Sequence, residues 1–111
     1  MILTGTYIKE MVEEGKIKIS PFNQDQINPN SYNFCLGDSL VAYKNMHLDV
    51  KLDNPIKKMK IPEDGLVLKP DKIYLGHSTE VVGSTHYVPT FCGRSSTGRL
   101  GALYPYGNWL D

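Results

Sequence analysis

The sequence predicts an all-β fold carrying one N-terminal helix. Short apolar runs arrive about every ten residues from residue 16 onward, the spacing of a sandwich or barrel. Ten glycines and seven prolines supply the turns between those runs. Helical periodicity is confined to residues 4–14. At 111 residues the chain has the size of one domain spanning 1–111. Hydrophobic residues make up 41% and charged residues 22%, which excludes a disordered chain. Twelve Lys and Arg balance twelve Asp and Glu, so broad electrostatic attraction to nucleic acid or a membrane surface is excluded. A disulfide-rich scaffold and a spanning helix are excluded as well.

The elements follow in order. Thr4 can cap a helix whose apolar stripe is Tyr7, Ile8, Met11 and Val12, with Glu10, Glu13 and Glu14 opposite and Gly15 as the stop. Lys16 to Ser20 alternates polar and apolar, the period of a half-buried strand, and Pro21 ends it. Leu40–Tyr43, Leu66–Leu68, Ile73–Leu75 and Glu80–Val82 are further strand-like runs. Asp64-Gly65, Lys69-Pro70-Asp71 and Val82-Gly83-Ser84 carry turn chemistry. Residues 44–61, with five lysines, read as an exposed excursion, and Lys57, Lys58 and Lys60 as a solvated loop. Cys35 and Cys92 form no CxxC pair and are expected as buried free thiols in a reducing compartment. The three histidines (His47, His77, His86) show no metal-ligand spacing, so no protein-bound metal is expected. His77 and His86 are expected as surface groups rather than an acid–base pair. No charged leader precedes a long apolar run at the N-terminus, which predicts a cytoplasmic protein.

Two segments are too rich in backbone-specialised residues to be plain strands. Asn28-Pro29-Asn30-Ser31-Tyr32-Asn33-Phe34-Cys35-Leu36-Gly37 combines turn formers with Phe34 and Leu36, which read as one face of a strand. Read from its residues alone, this is a surface turn feeding a core strand. Gly93-Arg94-Ser95-Ser96-Thr97-Gly98-Arg99-Leu100-Gly101 flanks three hydroxyls with two arginines. Glycine lets backbone N–H groups approach an anion, hydroxyls donate to it, and guanidinium pairs with phosphate bidentately. The segment lacks the Gly-Lys-Ser/Thr ending of a P-loop, and its residues suit a polyphosphate or a capped, solvated turn.

Together these segments resemble motifs of the dCTP deaminase and dUTPase superfamily, most closely the dCTP deaminases. Gly65-Leu66-Val67-Leu68-Lys69-Pro70, Tyr74-Leu75-Gly76 and Val88-Pro89 are similar to the strands between those motifs. The resemblance implies a distorted β-barrel or jelly roll of the dUTPase-like β-clip type. It also implies a homotrimer with sites between subunits and a role in cytoplasmic pyrimidine deoxynucleotide metabolism; the small size suggests a phage or bacterial setting. It implies that Arg94, Ser95, Ser96, Thr97, Gly98 and Arg99 bind the triphosphate and that Asp111 lies near the sugar. Ser95 and Arg99 would also help place the attacking water. Mg2+ would accompany the triphosphate rather than sit in a protein cage. No membrane or nucleic-acid partner is implied.

The sequence departs from the family pattern at three places. Asn33 stands where the family carries an aspartate. Ala102 to Trp109 contains Pro105, which suits a central strand poorly. The glutamate that serves the deaminases as general acid–base lies downstream of the position matched by Asp111. These departures favour a protein that binds a (deoxy)nucleotide triphosphate or related phosphate ligand without completing deamination, sequestering or sensing it. One alternative is the N-terminal part of an active dCTP deaminase, converting dCTP to dUTP, or of a dUTPase. The other is a protein-binding module that keeps only the fold, with Tyr104, Tyr106 and Trp109 as interface aromatics.

Overall fold

The computed structural model describes residues 1–101. In chain order its elements are α1 (Gly5–Glu13), β1 (Ile17–Ser20), β2 (Ile27–Asn28), β3 (Ser31–Tyr32), β4 (Leu36–Tyr43), β5 (Ile56–Lys60), β6 (Tyr74–Ser78), β7 (Val81–Ser84) and α2 (Ser95–Arg99). A 3-10 turn at Gln24–Gln26 precedes β2. The strands form antiparallel pairs β1–β7 and β2–β3 and a three-stranded sheet ordered β5-β4-β6. The all-β expectation with one N-terminal helix is borne out; the described strands do not close into a barrel.

Helix α1 begins and ends where its residues dictate. The Thr4 hydroxyl accepts the Tyr7 N–H at 3.3 Å, satisfying one orphan donor of the first turn. At the other end Gly15 adopts φ +75°, a conformation that costs glycine little. That lets Gly15 N–H reach the Val12 carbonyl at 3.1 Å and Lys16 N–H the Met11 carbonyl at 2.9 Å, the paired bonds of a Schellman cap. The predicted stripe is partly used: Met11 is buried, Ile8 and Val12 are half-buried, and Tyr7 lies at the surface. There the Tyr7 ring meets Tyr87 edge-on, with hydroxyls 3.2 Å apart.

Gly5 carries the closest approach of α1 to its neighbours. Its N–H donates to the Pro29 carbonyl at 2.9 Å. A Cβ at this position would overlap the Asn28 carbonyl oxygen and the Ile27 side chain. The helix therefore presses directly on the β2–β3 hairpin, in which Ile27 faces Tyr32 and Asn28 faces Ser31 across the Pro29-Asn30 turn. Tyr32 in turn stacks on Phe22 at 5.6 Å and accepts the Asn23 N–H through its hydroxyl.

Several expectations change. Residues 44–61 are not a plain excursion: β5 pairs with β4 from Ser39↔Lys60 to Tyr43↔Ile56. Its lysines hide the strand from a hydropathy reading because β5 is an edge strand with one face in solvent, where lysine is favoured. Leu66–Leu68 belongs to no strand, and Val67 is exposed. The run lies between Gly65 at φ +95° and a turn at Asp71 with φ +65°, so its backbone turns away before it can enter a ladder. Val82-Gly83-Ser84 is strand rather than turn, because Gly83 is paired opposite Lys18. A second helix, short, forms at Ser95–Arg99. Cys35 and Cys92 are free but exposed, not buried. Phe34 lies just before β4, and Leu36 opens that strand on its exposed side. No helix of the described residues is long and apolar enough to cross a membrane.

The packing at Gly5 predicts that Gly5→Ala destabilises the fold by about 1–3 kcal/mol through overpacking. Gly83 has open space around a built Cβ, so Gly83→Ala leaves stability unchanged or slightly higher. Urea denaturation midpoints of the two variants check the contrast.

Candidate functional site

The Asn28–Gly37 segment is held in place by hydrogen bonds to Gln26 and between its own side chains. Asn33 N–H donates to the Gln26 carbonyl at 2.8 Å, and Gln26 Nε2 returns a bond to the Asn33 carbonyl at 2.7 Å. The Asn33 side chain pairs with Asn28: Asn28 Nδ2 donates to Asn33 Oδ1 at 2.7 Å and Asn33 Nδ2 to Asn28 Oδ1 at 3.4 Å. An amide serves here as donor and acceptor together, which an aspartate could not do. Asn28 Nδ2 also donates to Ser31 Oγ at 3.1 Å, bracing the turn.

The anchor of the segment is Glu80, between β6 and β7, only 4% exposed. Cys35 N–H donates to both carboxylate oxygens, at 2.9 Å and 3.2 Å, and Gln26 Nε2 donates to Oε1 at 3.0 Å. Desolvation pushes the Glu80 pKa up, but the bonds from Gln26 and the Cys35 backbone outweigh it and hold the carboxyl below the ordinary glutamate value. The linkage runs both ways along the chain, since Thr79 N–H donates to the Cys35 carbonyl at 2.9 Å and Thr79 Oγ1 to the Leu36 carbonyl. The Cys35 thiol is pushed up by desolvation first and then by the Glu80 charge, so it is no reactive thiolate.

Phe34 joins this framework to the second segment. Its ring lies 4.7 Å from Phe91, three residues before Arg94. Beyond Phe91, α2 gathers Ser95, Ser96, Thr97, Gly98 and Arg99 on one helical turn, with Arg94 at its N-cap. Gly98 N–H closes the turn onto the Arg94 carbonyl at 2.9 Å, and Gly101, at φ +82°, ends it. Thr97 is half-buried; Arg94, Ser95, Ser96, Gly98 and Arg99 are exposed. Among the described residues the ion pair is Lys16–Glu14, so neither arginine is neutralised by a carboxylate. The six residues expected to bind phosphate are thus brought together on one turn. No hydrogen bond or ion pair among the described residues links that turn to Asn33. Asp111, Tyr104, Tyr106, Trp109 and Pro105 lie outside the described residues.

Glu80 and Gln26 are the residues that sequence reasoning missed. Glu80 stood inside a strand-like run, where a single acid before two valines is the only signal. Its partner Cys35 N–H is a backbone group 45 positions away.

Removing the anchor leaves part-buried donors without their acceptor. Glu80→Ala should cost about 1.5–3 kcal/mol, and Glu80→Gln less, since an amide oxygen can still accept the Cys35 N–H. A carboxyl whose pKa falls on folding stabilises the protein above the unfolded-state value. That stabilisation is lost as pH drops through the lower native value. Thermal unfolding from neutral to acid pH should therefore show an acid limb that Glu80→Gln flattens.

Comparison with known proteins places this architecture. A family model described as dCTP deaminase-like matches residues 2–111. A protein of Clostridium beijerinckii named dCTP deaminase, dUMP-forming, is 52% identical over 101 residues, covering 91% of this chain and 58% of the relative. The protein of that name from Clostridium acetobutylicum is 50% identical over 103 residues, 93% of this chain and 59% of its own length. The one from Leptospira biflexa is 46% identical over 101 residues, with 91% and 58% coverage. The chain thus spans less than two thirds of the length of these curated relatives. By the family match and by identity to these relatives, the chain belongs to the dCTP deaminase-like family.

Proposed function

We propose that the chain supplies the triphosphate-binding part of a cytoplasmic dCTP deaminase. The observation that carries this reading is the α2 turn: two guanidiniums with no ion pair among the described residues, three hydroxyls and Gly98 on one exposed element. Guanidinium takes phosphate oxygens bidentately, and the hydroxyls donate to those left over. In this assignment Arg94, Ser95, Ser96, Thr97, Gly98 and Arg99 bind the triphosphate, and Asp111 sits near the sugar. Ser95 and Arg99 additionally orient the water that attacks the cytosine ring. The segment 93–101 holds no carboxylate, so Mg2+ enters with the triphosphate as part of the substrate.

The relatives, named for dCTP deamination with dUMP as product, favour turnover over sequestration without chemistry. The overall change is then dCTP and two waters giving dUMP, ammonia and pyrophosphate. Assembly into a homotrimer belongs to the same proposal. It is supported by the many apolar side chains left at the surface of the single chain, among them Leu36, Leu75, Val81 and Val88.

Isothermal titration of the protein with dCTP and Mg2+ tests the site. Arg94→Ala and Arg99→Ala should each weaken binding about tenfold or more, the value of a charge-assisted bond. Unchanged affinity in both variants overturns the assignment. Ammonia release from dCTP separates turnover from binding alone, and light scattering of the same sample reports the trimer.

A further inference from the structure

Away from α2, the β5-β4-β6 sheet builds a second constellation. Strands β4 and β6 pair at Leu36↔Ser78 and again at Leu40↔Gly76, with the register shifting between. Gly37, Asp38 and Ser39 therefore lie opposite the single residue His77. Such a bulge re-aims side chains that a regular ladder would separate. Here it brings Ser39 Oγ to 3.1 Å from His77 Nε2.

The other ring nitrogen fixes the chemistry. His77 Nδ1 lies 2.9 Å from the Ser78 carbonyl oxygen, which can only accept. Nδ1 therefore carries a proton, and in the Nδ1–H tautomer the Nε2 lone pair faces the Ser39 hydroxyl, which can donate to it. The ring is also seated sterically. Gly37 is buried beneath it, and a Cβ there would collide with the imidazole. Nucleophile, base and orienting acceptor thus stand in the order that activates a serine. They open on a groove of about 500 Å³ that Asp38, Lys58, Met59 and Lys60 also line, with Lys60 paired directly opposite Ser39.

We propose that Ser39 and His77 form a nucleophilic dyad able to accept an acyl group from a carboxylic ester that carries negative charge. Ser39 Oγ attacks the carbonyl carbon while its proton passes to His77 Nε2. The ester C–O bond then breaks, and the departing alcohol takes the proton from Nε2, leaving acyl-Ser39 and a neutral ring. Water repeats the sequence to release the acid. The two lysines outnumber Asp38 in the groove, which gives the preference for anionic substrates. This site is separate from α2 and independent of the nucleotide reading.

A fluorophosphonate tests the dyad directly, since it labels activated serines. The Ser39 Oγ–P bond forms, the P–F bond breaks, fluoride leaves and the hydroxyl proton goes to His77. Intact-mass spectrometry of the unmodified sequence should show a single adduct, which peptide mapping places on Ser39. Ser39→Ala should abolish it, and His77→Gln should slow labelling about a hundredfold, the low end for loss of a general base. Absence of an adduct, an adduct on another residue, or equal labelling rates with and without His77 overturns the proposal. The mapping result on the unsubstituted protein decides even where a variant fails to fold.

Discussion

A buried carboxylate sets the conditions for the rest of this structure. Burying the charge of Glu80 is unfavourable unless donors surround it, and the donors here are a backbone N–H and a side-chain amide from a distant part of the chain. The requirement works in both directions. Glu80 needs the Cys35 N–H and Gln26 to stay charged, and residues 33–35 need Glu80 because they pair with no strand. One polar contact thus fixes where the hairpin segment ends, where β4 begins and where the Phe34 ring meets Phe91.

That dependence is sharper because the apolar core is thin. Among the described residues the buried apolar side chains are Met11, Ile19, Leu40 and Ala42. Hydrophobic burial on this scale specifies which face of β1 and β4 turns inward but does not position connecting segments. Position comes instead from directional bonds: the Gly5–Pro29 contact under α1, the Asn28–Asn33 amide pair and the Glu80 cluster. The α2 turn stands at the end of this chain of restraints, with its cationic side chains in solvent. A preorganised backbone leading to exposed guanidiniums suits recognition of a polyanion, because the ligand then orders few additional groups.

Legibility in the sequence followed the range of the interactions. The α1 caps are read from Thr4 and Gly15 because a cap is chemistry within a few residues. The alternation of β1 is equally local. β5 was hidden because an edge strand can be lysine-rich and still pair, and Leu66–Leu68 looked like a strand because an apolar run carries no information about partners. For the candidate site, the composition of 93–101 named the donors and the structure gathered them on one turn. Glu80 was illegible because its function is set by groups from residues 26 and 35. The Ser39–His77 pair was illegible for the same reason, created by a register shift between strands that neither residue announces.

Glu80 holds the Cys35 backbone in place, and amide hydrogen exchange of Cys35 tests that most directly. In the native protein the Cys35 N–H should exchange as slowly as the inner amides of β4, and Glu80→Ala should speed it about tenfold or more while Leu40 and Ala42 stay protected. A Cys35 amide that exchanges at the rate of an open loop, or one indifferent to the loss of the Glu80 side chain, would contradict it.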